Sequence, residues 1–127
     1  MKQILVIVPF PMSDENLDMR KQQLNSVQLP DDMEFTFRPV KAGPKNYVSE
    51  ADMVLADVTI LEAGLTAEVE GFDAVCVDTM SDSGVAALRS TLSIPVVGPG
   101  RASMLTAMML GQRFSIVTMW RKWFHLY

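Results

Sequence analysis

The residues best suited to do chemistry are crowded into one short stretch. Between Gly71 and Gly84 the chain reads Gly-Phe-Asp-Ala-Val-Cys-Val-Asp-Thr-Met-Ser-Asp-Ser-Gly. It begins as an apolar run, Ala74 to Val77, and then becomes a cluster of hydroxyls and carboxylates: Asp78, Thr79, Ser81, Asp82 and Ser83. Hydroxyls beside free amides at a helix start suit a carboxylate or phosphate, because unpaired N–H groups and the helix dipole both favour negative charge. Ser, Thr and Asp are also good helix caps, so simple capping stands as the other reading. The density of polar side chains exceeds what one cap needs and favours a ligand site.

Other reactive side chains offer less. Gly98-Pro99-Gly100 allows a second close backbone approach. Cys76 lies between Val75 and Val77 and reads as a buried, inert thiol, since a reactive thiolate needs exposure and positive neighbours. His125 sits in an aromatic tail with no acid or thiol beside it. One His and one Cys cannot build a structural zinc site. There is no Gly-x-Ser-x-Gly elbow, no phosphate-loop signature and no Gly-x-Gly-x-x-Gly after the first apolar run. Met104, Met108 and Met109 read as core or interface filling.

The elements that position these residues alternate. Gln3 to Pro9 is apolar on both faces, the pattern of a central parallel strand. Ser13 caps a helix to about Gln28, with a thin apolar stripe. Glu34 to Val40 reads as an edge strand. Ser49 opens a helix to about Glu70 through a capping box that uses Asp52, with Val54, Val58, Leu61, Leu65 and Val69 as its core stripe. A third strand follows at Ala74 to Asp78, a short helix at Gly84 to Leu92, and a fourth strand at Ile94 to Val97. The helix Arg101 to Leu110 closes on Gly111, and Phe114 to Thr118 reads as a fifth strand. Repeated β-α units predict an α/β fold, a parallel sheet with helices on both faces. The segments Pro9–Ser13, Asp78–Ser83, Gly98–Gly100 and Thr118–Met119 then gather at the carboxyl edge, where such sheets bind ligands.

Composition narrows the class. The 127 residues are 49% hydrophobic and 20% charged with a net charge of −4. That balance argues against nucleic acid, which requires a basic face. It also suggests a surface covered by a partner, as in a homo-oligomer. No apolar stretch reaches membrane-spanning length, and the apolar amino terminus meets Pro9 and Pro11 rather than a small-residue cleavage site. A lone cysteine fits a reducing, cytoplasmic setting.

The ordered series Gly43-Pro44, Ile60-Leu61-Glu62, Gly71-Phe72-Asp73-Ala74, Asp82, Gly84, Ile94-Pro95-Val96-Val97-Gly98, Ala102-Ser103, Leu110-Gly111 and Arg113-Phe114-Ser115-Ile116-Val117-Thr118 resembles the aspartate/glutamate racemase superfamily, most closely its hydantoin racemase branch. The resemblance implies two flavodoxin-like α/β lobes, no cofactor and no metal, and a small carboxylate or hydantoin substrate. Two thiols, one per lobe, move a proton at the carbon alpha to the carboxylate or carbonyl. Inversion needs an acid and a base on opposite faces and donors for the enolate charge. The family's first cysteine falls on Thr79, the implied catalytic residue here. Implied substrate contacts are Pro11, Ser13, Asp78, Met80, Ser81, Thr118 and Met119. The family's Asn-Pro-Asn-Thr stretch appears as Val8-Pro9-Phe10-Pro11, a more apolar mouth. On this resemblance residues 1–113 form the first lobe, and 114–127 the first strand and opening helix of a second. The fragment alone is expected to be inactive. Arylmalonate-decarboxylase-like and maleate-isomerase-like enzymes of the superfamily, or a non-catalytic anion-binding or scaffold domain, are the alternatives. Trp120, Trp123, Phe124 and Tyr127, at i, i+3, i+4 and i+7, predict a helix whose aromatic face packs against the second lobe or another subunit.

Overall fold

The computed structural model describes residues 1–127. Four strands, β1 (Lys2–Val8), β2 (Met33–Pro39), β3 (Ala74–Val77) and β4 (Val96–Val97), form one sheet in the order β2-β1-β3-β4. All three pairings are parallel, with Leu5 opposite Thr36 and Val75, and Val75 opposite Val96. This is the expected α/β architecture, with the edge position of β2 and the central position of β1 as read from their patterning.

Side-chain alternation along each strand divides the molecule. Leu5, Ile7, Val75, Val77 and Val96 point to one face and are buried with Ile60, Ala63, Ala67, Val85 and Leu88. Helices α2 (Glu50–Gly64) and α3 (Val85–Thr91) cover this face. Val6, Phe35, Phe37 and Cys76 have the opposite parity and line the other face with Arg20 and Leu24. Those two residues belong to α1 (Asp14–Gln22) and the 3₁₀ turn Gln23–Ser26 that follows it. Ser13 caps α1 as expected, and the helix buries no residue. A fourth helix, α4 (Pro99–Leu110), closes on Gly111.

The expected core stripe of α2 is mostly on the wrong side; of its five residues only Leu61 packs against the core. Val54, Val58, Leu65 and Val69 are 62%, 59%, 50% and 91% exposed, whereas Ala56, Ile60, Ala63 and Ala67 are buried. Two residues span about 200° of helix at 3.6 residues per turn, so the two stripes lie on nearly opposite sides. Close approach decides between them. A Cβ on Gly64 would lie 2.7 Å from Ile7 Cδ1 and 2.8 Å from Leu88 Cδ2, so the helix can sit this close only with glycine at that position of its inner face. The capping box of Ser49 and Asp52 forms as expected. The helix ends at Gly64 rather than Glu70, and turns carry the chain to Gly71.

The carboxyl-terminal segment also departs from expectation. Phe114 to Thr118 forms no strand in the four-stranded sheet. The adjacent edge, β4, is two residues long and offers almost no ladder for a fifth strand. Residues Arg121–Leu126 form a 3₁₀ helix, not an α-helix. At three residues per turn, Trp120, Trp123 and Leu126 align and are half-buried, while Phe124 turns outward and Tyr127 stays partly exposed at the end. The two indoles meet edge to face at 5.5 Å. The tail therefore folds back over its own sheet edge, and does not present a single four-aromatic face.

Candidate active site

The chain leaves β3 at Val77 with Asp78 N donating to Ile7 O at 2.8 Å, and tightens at once into a turn in which Asp82 N donates to Thr79 O at 3.1 Å. Asp82 sits in the left-handed region, φ 54°, a conformation that Asp tolerates better than most residues. The turn aligns three hydroxyls. Thr79 Oγ1 and Ser81 Oγ lie 3.0 Å apart, and Ser81 Oγ and Ser83 Oγ 2.8 Å apart. Ser83 is the buried end of this chain, at 3% exposure, and Thr79 and Ser81 are its open end.

Several helix-start amides at this edge are already occupied. Asp82 accepts from Gly100 N at 2.8 Å and Arg101 N at 2.7 Å, closing the start of α4. Asp57, from α2, accepts from Gly84 N at 2.7 Å at the start of α3. Internal carboxylates thus hold the Gly84, Gly100 and Arg101 amides, and an anion at Thr79–Ser83 would have to use the amides and hydroxyls of the turn itself.

Asp78 is neutralised from an unexpected direction. Arg20, on α1, donates through Nε to Asp78 Oδ2 at 2.5 Å, and both side chains are about one-third exposed. These two residues, with Thr79, Met80 and Ser81, form one wall of a cleft of about 460 Å³. Phe10, Tyr47 and Pro99 supply an apolar second wall, and Met119, Trp123, Leu126 and Tyr127 of the tail close it. Phe10 and Tyr47 pack edge to face at 5.3 Å. The Tyr47 hydroxyl donates to Pro9 O at 3.2 Å, and burial, aided by the charge of Asp57, pushes it up to about 12. The indole N–H of Trp123 is buried without a hydrogen-bond partner.

Of the residues proposed from sequence, the fold brings Asp78, Thr79, Met80, Ser81 and Met119 to this cleft. Pro11, Ser13 and Thr118 are not among its lining residues. Ser13 is engaged as the cap of α1, accepting from Asn16 N at 3.4 Å. Arg20 and Tyr47 went unnoticed because nothing near either in sequence marks it. The one available signal for Arg20 was the need to neutralise Asp78. Cys76 lies behind the cleft, beside Arg20 and Asp78 in a smaller cavity of about 200 Å³. Burial pushes its thiol up, and Asp78 and Asp82 add to this, which agrees with an inert thiol. No group of three or more His, Cys, Asp or Glu side chains is arranged to hold a metal ion, and no helix is long and apolar enough to cross a membrane.

Comparison with known proteins places this geometry. The hydantoin racemase of Pseudomonas sp. (strain NS671) is 37% identical over 78 residues, covering 61% of this chain and 31% of that protein. The allantoin racemase of Klebsiella pneumoniae superposes with a TM-score of 0.85 at 27% identity, over 99% of this chain and 51% of its own. The allantoin racemase of Pseudomonas fluorescens shares the fold, with a TM-score of 0.78 at 24% identity over 98% of this chain and 52% of its own. The chain thus spans about half the length of these solved structures and about a third of the curated relative. The Asp/Glu/hydantoin racemase family model matches residues 13–127. By that match, which takes in both the carboxyl edge and the tail, the chain belongs to the Asp/Glu/hydantoin racemase family.

Proposed function

We propose that this chain supplies one half of the active site of a cofactor-independent racemase that inverts the carbon beside a hydantoin ring carbonyl. In this reaction the C–H bond breaks, its electron pair moves onto the carbonyl oxygen as an enolate, and a proton returns to carbon on the other face. The observation that carries the reading is the hydroxyl chain of Thr79, Ser81 and Ser83 beside a cleft whose facing wall is apolar. The relatives' names point to the ring: allantoin is itself a 5-substituted hydantoin. Charge supports it too. The cleft holds one cation and one anion, already paired to each other, which suits a neutral ring better than the dicarboxylates aspartate and glutamate.

Thr79 stands where the family's first thiol is found. A threonine hydroxyl cannot serve as a strong base at neutral pH, so Thr79 holds one face of the reacting carbon while a thiol of a second lobe acts as acid and base. Residues 1–113 are then the first lobe and 114–127 lead into the second, in line with the half-length match. The exposed Val54, Val58 and Val69 favour a homo-oligomer. The missing thiol favours a second reading, a domain that binds small molecules without chemistry.

Enantiopure 5-benzylhydantoin and allantoin incubated in D₂O with the full-length protein separate these readings. Loss of optical rotation with deuterium entering at the reacting carbon is expected. Absence of both, with binding retained, leaves the non-catalytic domain; decarboxylation of an arylmalonate instead points to that branch. Thr79→Cys places a group of pKa near 8.5 at one face and should accelerate exchange there. An unchanged rate with the fold intact rules out Thr79 as a neighbour of the reacting carbon.

A further inference from the structure

We infer that Arg20 is a substrate-orienting residue, held in place by Asp78, and that its two Nη groups grip the ring carbonyl oxygen on which the enolate charge develops. The inference rests on the racemase reading and goes beyond it by naming the group that receives the charge.

Arg20 is the only cationic side chain lining the cleft. Its Nε is committed to Asp78 Oδ2 at 2.5 Å, and its Nη atoms make no hydrogen bond within the protein. One edge of the guanidinium is thus pinned and the other is left with unused donors. A planar fork anchored on one side presents paired N–H groups in a fixed direction, which is how Arg recognises an oxyanion. The helix-start amides cannot take that part. Gly84 N, Gly100 N and Arg101 N are bonded to Asp57 and Asp82. Thr79 and Ser81 have hydroxyls engaged with each other. Among the side chains of the cleft, Arg20 alone combines positive charge with donors that have no partner.

Arg20 binds the substrate directly, and Asp78 acts through it as a positioning residue. A hydrogen bond from a charged donor to an oxyanion is worth roughly 1.5–3 kcal/mol, about a ten- to hundredfold change in rate or affinity.

The test uses the full-length protein, Arg20→Gln, Arg20→Lys and Asp78→Asn. Two readouts are followed: racemisation of 5-benzylhydantoin, and its binding by the fluorescence of Trp123, which lines the same cleft. Arg20→Gln should lose at least tenfold in kcat/KM, with binding weakened as well as kcat lowered, and added guanidinium ion should restore part of it. Arg20→Lys should retain more activity than Arg20→Gln, and Asp78→Asn should lose activity without guanidinium rescue. A kcat/KM for Arg20→Gln within twofold of the parent overturns the inference. So does a loss that guanidinium does not rescue and that tracks a lowered melting temperature, which marks a structural brace. If the parent protein shows no turnover, the racemase reading fails by itself. The fluorescence titration then still decides Arg20: equal affinity of parent and Arg20→Gln, or binding by neither, overturns its role.

Discussion

Replacing Asp82 tests the local architecture of the carboxyl edge most directly. Two effects oppose each other at this residue. Its carboxylate accepts from Gly100 N at 2.8 Å and Arg101 N at 2.7 Å, while its own backbone sits at φ 54°. Loss of a capping acceptor costs roughly 0.5–2 kcal/mol, and the Gly100 amide falls at the upper end because that residue is buried. A non-glycine residue in the left-handed region carries about 1–2 kcal/mol of strain. Asp82→Ala loses the cap and keeps the strain without the local bonding that Asp offers, for a total of about 2–3 kcal/mol. Asp82→Gly loses the cap but relieves the strain, for about 1 kcal/mol. Asp82→Asn keeps an acceptor and loses mainly the charge–dipole attraction, roughly 0.3–1 kcal/mol. For a domain of this size each kcal/mol moves the melting temperature by about 3–5 °C. Calorimetry of the four proteins should therefore rank parent, Asn, Gly and Ala in falling order, with Ala lower by roughly 8–12 °C. Equal losses for Gly and Ala would remove strain from the account. A melting temperature for Ala within 2 °C of the parent would refute the capping account itself.

The inner and outer sides of α2 can be told apart by stability: Ile60→Ala, at a fully buried position, should cost about 2–5 kcal/mol, and Val58→Ala, 59% exposed, less than about 0.5 kcal/mol; the reverse order in urea unfolding would restore the stripe expected from sequence. Tyr47 ionises at about 12 in the fold against 10.0 ordinarily. Its contribution to stability is therefore complete below pH 10 and lost as pH rises from 10 to 12, and Tyr47→Phe should flatten that loss and delete a late step in the absorbance titration at 295 nm. Cys76, pushed up by burial, should react with iodoacetamide at pH 8 at less than about a tenth of the rate seen in urea; equal rates would show an open thiol.

Sequence patterning carried the first four strands well but not the fifth, Phe114 to Thr118, because strands declare themselves through what lies on both faces and that segment has no ladder to join. The Ser49–Asp52 capping box and the hydroxyl-rich turn after Val77 were equally legible, since both depend on neighbours a few residues away. Three features were hidden for a common reason. The buried side of α2 is set by how near Gly64 must come to Ile7, a distance fixed by the sheet and not by the helix's own hydrophobic pattern. The tail follows a three-residue period that its aromatic spacing does not distinguish from a helical one at i and i+3. Arg20 joins Asp78 across 58 positions, beyond the reach of any local motif. Closure of the Gly84, Gly100 and Arg101 amides by Asp57 and Asp82 is hidden for the same reason, since it joins residues 18 to 27 positions apart.

That closure has a kinetic consequence. With a carboxylate seated on each of two helix starts, the positive ends of α3 and α4 are cancelled from within, and the Arg20–Asp78 pair cancels itself. The edge therefore projects little field into solvent, and a small molecule arriving there is not drawn in from a distance as it would be at an exposed cationic funnel. Capture becomes a matter of collision and fit, so the association rate of a neutral ring should be nearly indifferent to salt. Discrimination rests on side chains that can be exchanged singly, while the main-chain frame beneath them stays unaware of which ligand it carries.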